Sequence, residues 1–412
     1  MRVAVVGLGK IGLPLAVQYT SRGLDVAGYD IDATKVESIN AGCCPIVGEE
    51  GLEEGLKTAL ASGRLRATTD AGEATPSADV VVLIVPVGLT AGRKPGFTQL
   101  DAATNAIAPH LAAETLVVVE STVPVGTTRN RVGAALARTT LLAASPERVS
   151  SGRIFRDLRA YPKIVGAIDD ASWQKAEAFY SAALQAPGLI RVRDPETAEF
   201  AKIAEGVYRD VNIALASELA RYADTVGVDA TEAFSAANTQ PYSHLHQPGV
   251  GVGGHCLPVY PYFLEERGTR LTQLARKTND AMAGYAVEKL EAALGSLSGA
   301  TVLILGLAYR ANVKESANSS AFLIAQALAG RGARALVHDP LYSNDEIRAL
   351  GLEPPQTFPL PVDAITVQAW HDVYRELNLR SFRGCRAVLD GRNVLDRAAV
   401  EAAGMIYVGI GR

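Results

Sequence analysis

At 412 residues the chain is too long for one hydrophobic core, so two or three domains are expected. Its 48% hydrophobic and 20% charged content is that of a soluble globular protein, and a formal charge of -4 with no long basic run gives no electrostatic footprint for nucleic acid, though a small anionic ligand can still be held locally. No run of about 18 uncharged apolar residues occurs and the N-terminus lacks a signal-peptide layout, which predicts a cytoplasmic protein with no membrane partner. The four cysteines, Cys43, Cys44, Cys256 and Cys385, show no CxxC spacing, so neither structural disulfides nor a metal site is expected.

The opening "MRVAVVGLGKIGLPLAVQYTSRGLDVAGYDID" runs from a buried-strand pattern through a glycine turn into a helical pattern and then a second strand ending at Asp30. This is the first half of a dinucleotide-binding βαβ unit. Gly7, Gly9 and Gly12 form G-x-G-x-x-G at the start of a helix whose N-terminus can hold a pyrophosphate. Asp30 can accept both ribose hydroxyls, and its charge disfavours a 2′-phosphate, so NAD is preferred over NADP. Lys35, on the next helix, either approaches the adenosine end or is a solvated helix lysine. Strand-like runs follow at "ADVVVLIVP", "TLVVVEST" and "TLLAASPERV", and a doubly wound parallel sheet is expected to about residue 195.

From residue 196 the period becomes helical, with Phe200, Ile203, Val207, Val211 and Leu215 recurring at three- and four-residue steps. The sequence predicts one long helix from about Glu196 to Gly227. Near residue 298 the opening pattern returns as "GATVLILGLAYRANVKESANSSAFLIAQALAGRGARALVHDP", without the second glycine of a pyrophosphate loop. The expected fold is therefore α/β, with two Rossmann-like doubly wound domains, 1–195 and 298–412, joined by a central helical segment, 196–297, and a ligand site between them.

The remaining candidates are ambiguous one by one. Lys202 reads as a surface lysine or a functional cation, Thr122 in "ESTVPVGTT" as a strand-end cap, and Glu147 in "SPERV" as the partner of its neighbour Arg148. Cys256, in "GVGGHCLPVYPYFL", is either an inert packing thiol or a nucleophile. Together, "GLGKIGLPLA", "YDID", "STVPVGTT", "SPERV", "AKIAEGVYRDVNIALASELA", "PGVGVGGHCLP", "GLAYR" and "LDGRNVLD" resemble the UDP-glucose/GDP-mannose dehydrogenase family of nucleotide-sugar 6-dehydrogenases, in order and over nearly the whole chain.

That resemblance implies oxidation of the C6 primary alcohol of a nucleotide-linked hexose to a carboxylate with two NAD per sugar. It makes Cys256 the covalent nucleophile, Lys202 the cation facing the developing oxyanion, Thr122 a group positioning water or hydroxyl, and Glu147 a carboxylate of thioester hydrolysis. Gly7, Gly9, Ile11, Gly12, Asp30, Lys35, Pro86 and Thr122 would hold the cofactor. Arg148, Lys202, Gly253, Tyr260, Arg310 and Arg392 would hold the UDP-sugar, with Arg392 on its phosphates. "GGHC" and "SPERV" look most like the UDP-N-acetylhexosamine branch, so His255 is read as a mark of specificity or as a buried, satisfied histidine. A homodimer built on the long helix is expected.

Four positions break the family pattern: Gly206 for asparagine, Tyr260 for aspartate, Ala317 for arginine and Val87 for threonine. Lys202 and Gly206 share a helix face, and the exchange of volume predicts that the Tyr260 ring packs over Gly206 with its hydroxyl near Lys202 or the substrate. Attenuated later steps are the expected consequence, with an altered or incomplete oxidation, or a catalytically silent sugar-nucleotide binder, as the alternatives.

Overall fold

Short runs rich in Val, Leu, Ile and Ala, four or five residues long, form the strands of the two large sheets of the computed structural model, which describes residues 1–137 and 140–412. Contacts divide the chain into two units, Met1–Glu205 and Gly206–Arg412.

In the first unit eight strands form one sheet in the order Leu189–Val192, Lys163–Ala167, Leu141–Ala144, Leu116–Val119, Val80–Leu83, Arg2–Val6, Asp25–Tyr29 and Leu65–Thr68. The six strands from Leu65–Thr68 to Leu141–Ala144 are parallel in the 3-2-1-4-5-6 order of a dinucleotide-binding fold. The expectation of a wholly parallel sheet is corrected here: Lys163–Ala167 lies antiparallel to Leu141–Ala144, and Leu189–Val192 follows it. The near-continuous apolar strands need both faces covered, and the helix Gly12–Ser21 supplies Leu13, Leu15 and Tyr19, each fully buried against one face.

In the second unit five parallel strands take the order Arg334–His338, Thr301–Leu305, Ala364–Val367, Ala387–Asp390 and Ile406–Gly409. This is the 2-1-3-4-5 order, whose reversal point lies between the strands Thr301–Leu305 and Ala364–Val367 and marks a ligand crevice at their carboxyl ends. The helix Arg270–Leu294 covers one face through Met282, Ala286, Val287 and Leu290.

The predicted long helix runs Pro195–Val226. Proline suits its first turn, where the missing N–H has no helical partner. Among the described residues no helix is long and apolar enough to cross a membrane.

Candidate active site

The turn after Arg2–Val6 separates two uses of glycine. Gly7 has φ +96°, and a Cβ there would stand 2.6 Å from the Ile84 carbonyl oxygen, while one on Gly12 would meet the Gly7 oxygen at 1.8 Å. Those two glycines are required by the protein's packing on itself. A Cβ on Gly9 would meet nothing within 4 Å, so the second glycine keeps open a cradle at the N-terminus of Gly12–Ser21, where backbone N–H groups could hold a pyrophosphate. Asp30 stands at the end of the next strand, accepting at Oδ2 from the Leu8 N–H and Lys35 Nζ, both at 2.9 Å, and at Oδ1 from the Asp32 N–H at 3.0 Å. Lys35 is thus the partner of Asp30. Ile11 is half-buried beside the turn, and Pro86 is exposed past the strand Val80–Leu83. These residues fit NAD, whose nicotinamide supplies the hydride acceptor.

Along the same carboxyl edge, the reversed strand has a chemical effect. Its register pairs Ala143 with Ala167 and Ala144 with Gly166, and continuing it brings Glu147 opposite Lys163. The Lys163 ammonium lies 2.6 Å from Glu147 Oε2 and 3.3 Å from Glu120 Oε2, and all three residues are buried. Tyr180 and Tyr19 donate their hydroxyls to Glu120 Oε1 at 2.5 and 3.3 Å. Burial pushes the Glu120 carboxyl up to about 7 against the pull of Lys163, with Glu147 adding to the rise. The two carboxylates hold the Lys163 ammonium above its ordinary range despite burial.

The expected pairing of Glu147 with the Arg148 side chain is corrected. Glu147 accepts from the backbone N–H of Arg148, while the Arg148 guanidinium pairs with Glu205, donates to the Pro162 carbonyl and lies over the Tyr161 ring. Thr122 is half-buried beside Ser121, whose hydroxyl joins the strand ends by donating to the Val85 carbonyl at 2.7 Å. The following loop is fixed by Glu199 of the long helix, which accepts from the N–H groups of Gly126 and Thr128. Lys202, half-buried, lies on that same helix. Sequence reasoning missed Glu120, Lys163 and Glu199; the available signal was a charge at the end of one apolar run, "LVVVE", and at the start of another, "KIVGA".

In the second unit Cys256 is exposed on a turn that leads directly into a 3-10 helix, Tyr260–Arg267. The Val259 and Tyr260 N–H groups both donate to the Cys256 carbonyl, at 3.0 and 2.9 Å. This tight winding brings the Tyr260 hydroxyl to 3.2 Å from Cys256 Sγ, to which it donates. The ring lies over Gly206, where a Cβ would stand 2.9 Å from Tyr260 Cδ2. The expected packing of ring over glycine is therefore present, and the hydroxyl bonds to the thiol.

The glycines before Cys256 bring its loop close to the second nucleotide fold. A Cβ on Gly253 would stand 2.7 Å from Tyr309 Cβ and 2.8 Å from the Asn318 carbonyl oxygen. The Gly254 N–H donates to the Ala317 carbonyl at 2.8 Å, and Asn318 Nδ2 donates to the Gly254 carbonyl at 3.0 Å. Ala317 thus contributes its backbone to this seam. His255 is corrected from a buried histidine: its side chain is 67% exposed, with Nε2 3.0 Å from Glu315 Oε2. Arg392 is half-buried and donates from Nε to the Gln368 carbonyl at 2.6 Å and from Nη1 to the Gly251 carbonyl at 3.1 Å, so it also braces the cysteine loop. Burial pushes its guanidinium down to about 10, with Asp390 opposing. Arg310, half-buried, follows Tyr309 on the glycine turn. Cys256, Tyr260, Gly253 and Arg392 thus belong to one connected group, while Thr122, Glu147, Arg148 and Lys202 belong to the first unit.

The chain matches the NAD binding domain of the UDP-glucose/GDP-mannose dehydrogenase family over residues 1–184, its central domain over 196–281 and its UDP binding domain over 303–397. A UDP-N-acetyl-D-mannosamine dehydrogenase of Pyrococcus horikoshii is 35% identical over 431 residues, covering 100% of this chain and 99% of its own length. An NDP-N-acetyl-D-galactosaminuronic acid dehydrogenase of Ralstonia nicotianae is 36% identical over 343 residues, 79% of each chain. Among solved structures, a UDP-glucose dehydrogenase from Pyrobaculum islandicum superposes with a TM-score of 0.89 at 30% identity, covering 100% of this chain and 97% of its own. This chain belongs to the UDP-glucose/GDP-mannose dehydrogenase family and is an NAD-dependent nucleotide-sugar dehydrogenase.

Proposed function

We propose that the chain oxidises the C6 alcohol of a UDP-N-acetylhexosamine to the uronic acid through a thioester on Cys256. The observation that carries this reading is the exposed Cys256 thiol, held by hydrogen bonds to the loop 315–319 of the second nucleotide fold. Full-length similarity to dehydrogenases of UDP-N-acetylmannosamine supports the sugar class.

Two two-electron oxidations convert the alcohol to the acid, with one water consumed. Lys202 stabilises the alkoxide as the alcohol gives up its proton. The Cys256 thiolate adds to the aldehyde carbon, forming a C–S bond and, once the carbonyl oxygen is protonated, a hemithioacetal. Oxidation of that adduct leaves the thioester. Water positioned by Thr122 and Glu147 adds to the acyl carbon, the C–S bond breaks, and the thiolate returns. Lys163 contributes by holding the Glu147 carboxylate in place. Arg310 and Arg392 serve the UDP moiety. A second reading, in which oxidation stalls after the aldehyde or the thioester, is favoured by Gly206 and Tyr260, which put no amide at position 206 of the helix and a phenol in place of a carboxylate at position 260 beside the thiol.

A panel of UDP-sugars scored for NADH tests both readings. Two NADH and one uronic acid per sugar are expected for complete oxidation, one NADH with trapped aldehyde for a stall after the first step, and two NADH per enzyme with Cys256 acylated and no free acid for a stall at the thioester. Cys256→Ser should bind NAD and form no acid; full retention of acid formation in that variant would overturn the covalent route.

The long helix also exposes Tyr208, Leu215, Leu219, Tyr222 and Val226, which helical spacing places on one face. That stripe supports a homodimer. Light scattering should give twice the mass of the chain, and a monomer at micromolar concentration would count against it.

A further inference from the structure

A glycine inside a helix costs about 1 kcal/mol relative to alanine, so Gly206, twelve residues into the helix Pro195–Val226, calls for a compensating gain. The gain is room: Tyr260 Cδ2 already lies where a Cβ would leave only 2.9 Å, and Tyr260 Cβ and Cγ follow at 3.6 and 3.7 Å. No larger residue at 206 would leave the ring in place. The ring is fixed from a second side by Phe263, with centroids 5.7 Å apart. Held in this way, the phenol reaches Cys256 Sγ at 3.2 Å.

We infer that Tyr260 is a positioning residue for the Cys256 thiol, donating its phenolic hydrogen to the sulfur, and that Gly206 and Tyr260 act as one unit to place that donor. The inference deepens the reading of Cys256 as the nucleophile and rests on it for its catalytic meaning, though not for its test. A hydrogen bond donated to an ionised acceptor favours the ionised form, and a thiolate is the reactive species of a cysteine. A carboxylate in its place would be negative and would repel a thiolate, whereas a phenol is neutral and donates. The neighbouring His255 has its Nε2 3.0 Å from Glu315 Oε2. Tyr260 therefore favours formation of the acyl-enzyme. It offers no carboxylate to draw a proton from the water that must release it, so the enzyme is expected to accumulate acylated on Cys256 during turnover.

The test needs no substrate. The intact enzyme is treated with iodoacetamide from pH 6 to 9.5, and modification of each cysteine is followed by peptide mass mapping. This separates Cys256 from the exposed Cys43. Cys385, whose thiol burial pushes up to about 11, stays protected in every folded variant and serves as the folding control. In Tyr260→Phe the ring and its packing remain, and Cys256 should alkylate about 10-fold more slowly near pH 7, the size of one lost hydrogen bond to a charged group. At pH 9.5 the variant should match or exceed the parent, since a displaced loop would slow both limits whereas a lost donor slows only the lower one. Gly206→Ala, which pushes the ring aside with the phenol intact, should reproduce the low-pH loss. The double variant should be no slower than Tyr260→Phe, because the two residues act on the sulfur through one bond. Parental rates in Tyr260→Phe across the whole range would overturn the inference, as would additive losses in the double variant. Neither result would touch the proposed oxidation, which stands or falls with acid formation in Cys256→Ser.

Discussion

After the strand Arg2–Val6 the chain reads GLGKIG, and after Thr301–Leu305 it reads GLAYRA. The backbones begin alike: Gly7 and Gly306 have φ +96° and +98°, and their N–H groups donate to the Tyr29 and His338 carbonyls, both at 2.8 Å. An aspartate ends each second strand, Asp30 and Asp339. The folds then diverge. Where Gly9 keeps an open cradle, Ala308 is fully buried. Asp30 takes one turn N–H and remains 8% exposed, whereas Asp339, 2% exposed, accepts from both the Leu307 and Ala308 N–H groups at 2.8 Å and from His371 Nε2 at 3.0 Å. Burial alone would raise the Asp339 carboxyl, but these donors hold it below its ordinary range. The first glycine and the acid therefore serve the fold in both units; only in the first do an open glycine position and a less committed acid leave room for a dinucleotide.

Swapping the roles of the two acids by mutation gives the largest expected effects. Asp339→Ala leaves two buried N–H groups and the His371 ring unmatched, at roughly 1–3 kcal/mol for each donor. The melting temperature should fall by about 6 °C or more, at 2–4 °C per kcal/mol for a unit of this size and no less than about 1 kcal/mol for each of the three donors. An unchanged melting temperature by calorimetry would break the claim that this acid is structural. Asp30→Asn should instead weaken NAD binding about 10–100-fold, the loss of hydrogen bonds to a charged group, with a smaller thermal shift. Titration calorimetry with NAD would check it, and a parental affinity would remove Asp30 from the cofactor site.

A smaller effect separates the units by pH. Burial raises Glu120 from 4.5 to about 7, so between those values the native state keeps a proton that the unfolded chain has released, and this group's contribution falls as pH rises through the window. His338 has the opposite sign: burial, helped by His371, lowers its ring from 6.5 to about 4, so the unfolded chain binds the proton first and stability is lost as pH falls through that range. Relative to the parent, Glu120→Gln should gain melting temperature at pH 7 over pH 5, and His338→Phe should gain at pH 5 over pH 7. Shifts of the same sign in both variants would refute the assignment.

The first fold was legible because its glycine spacing, its apolar runs and Asp30 fall in local order. The Tyr260 ring over Gly206 was legible as well, since a side chain lost on a helix and one gained on a loop are complementary volumes. The bond from its hydroxyl to the thiol was not, since the 3-10 winding that turns residue 260 back onto Cys256 leaves no mark in composition. Strand direction was equally hidden. "KIVGA" reads the same in a parallel or an antiparallel strand, and only the reversed register carries Lys163 to Glu147.

The finest test of the comparison returns the missing glycine to the second fold. Ala308→Gly restores the G-x-G spacing and removes a buried methyl group. The lost methyl and the added chain entropy of glycine should together lower stability by about 1–2 kcal/mol. If volume at this position were all that separates the two turns, the variant would acquire an affinity for NAD. The hydrogen bonds argue otherwise, because the Leu307 and Ala308 N–H groups are already committed to Asp339, and that acid's Oδ1 accepts from the Leu341 N–H at 2.9 Å. A pyrophosphate would find its donors occupied, and a ribose would find no carboxylate edge to bind. Titration calorimetry should therefore give one NAD per chain for parent and variant alike. Two per chain in Ala308→Gly would show that a single methyl group, and not the sequestered acid, closes the second turn to a dinucleotide.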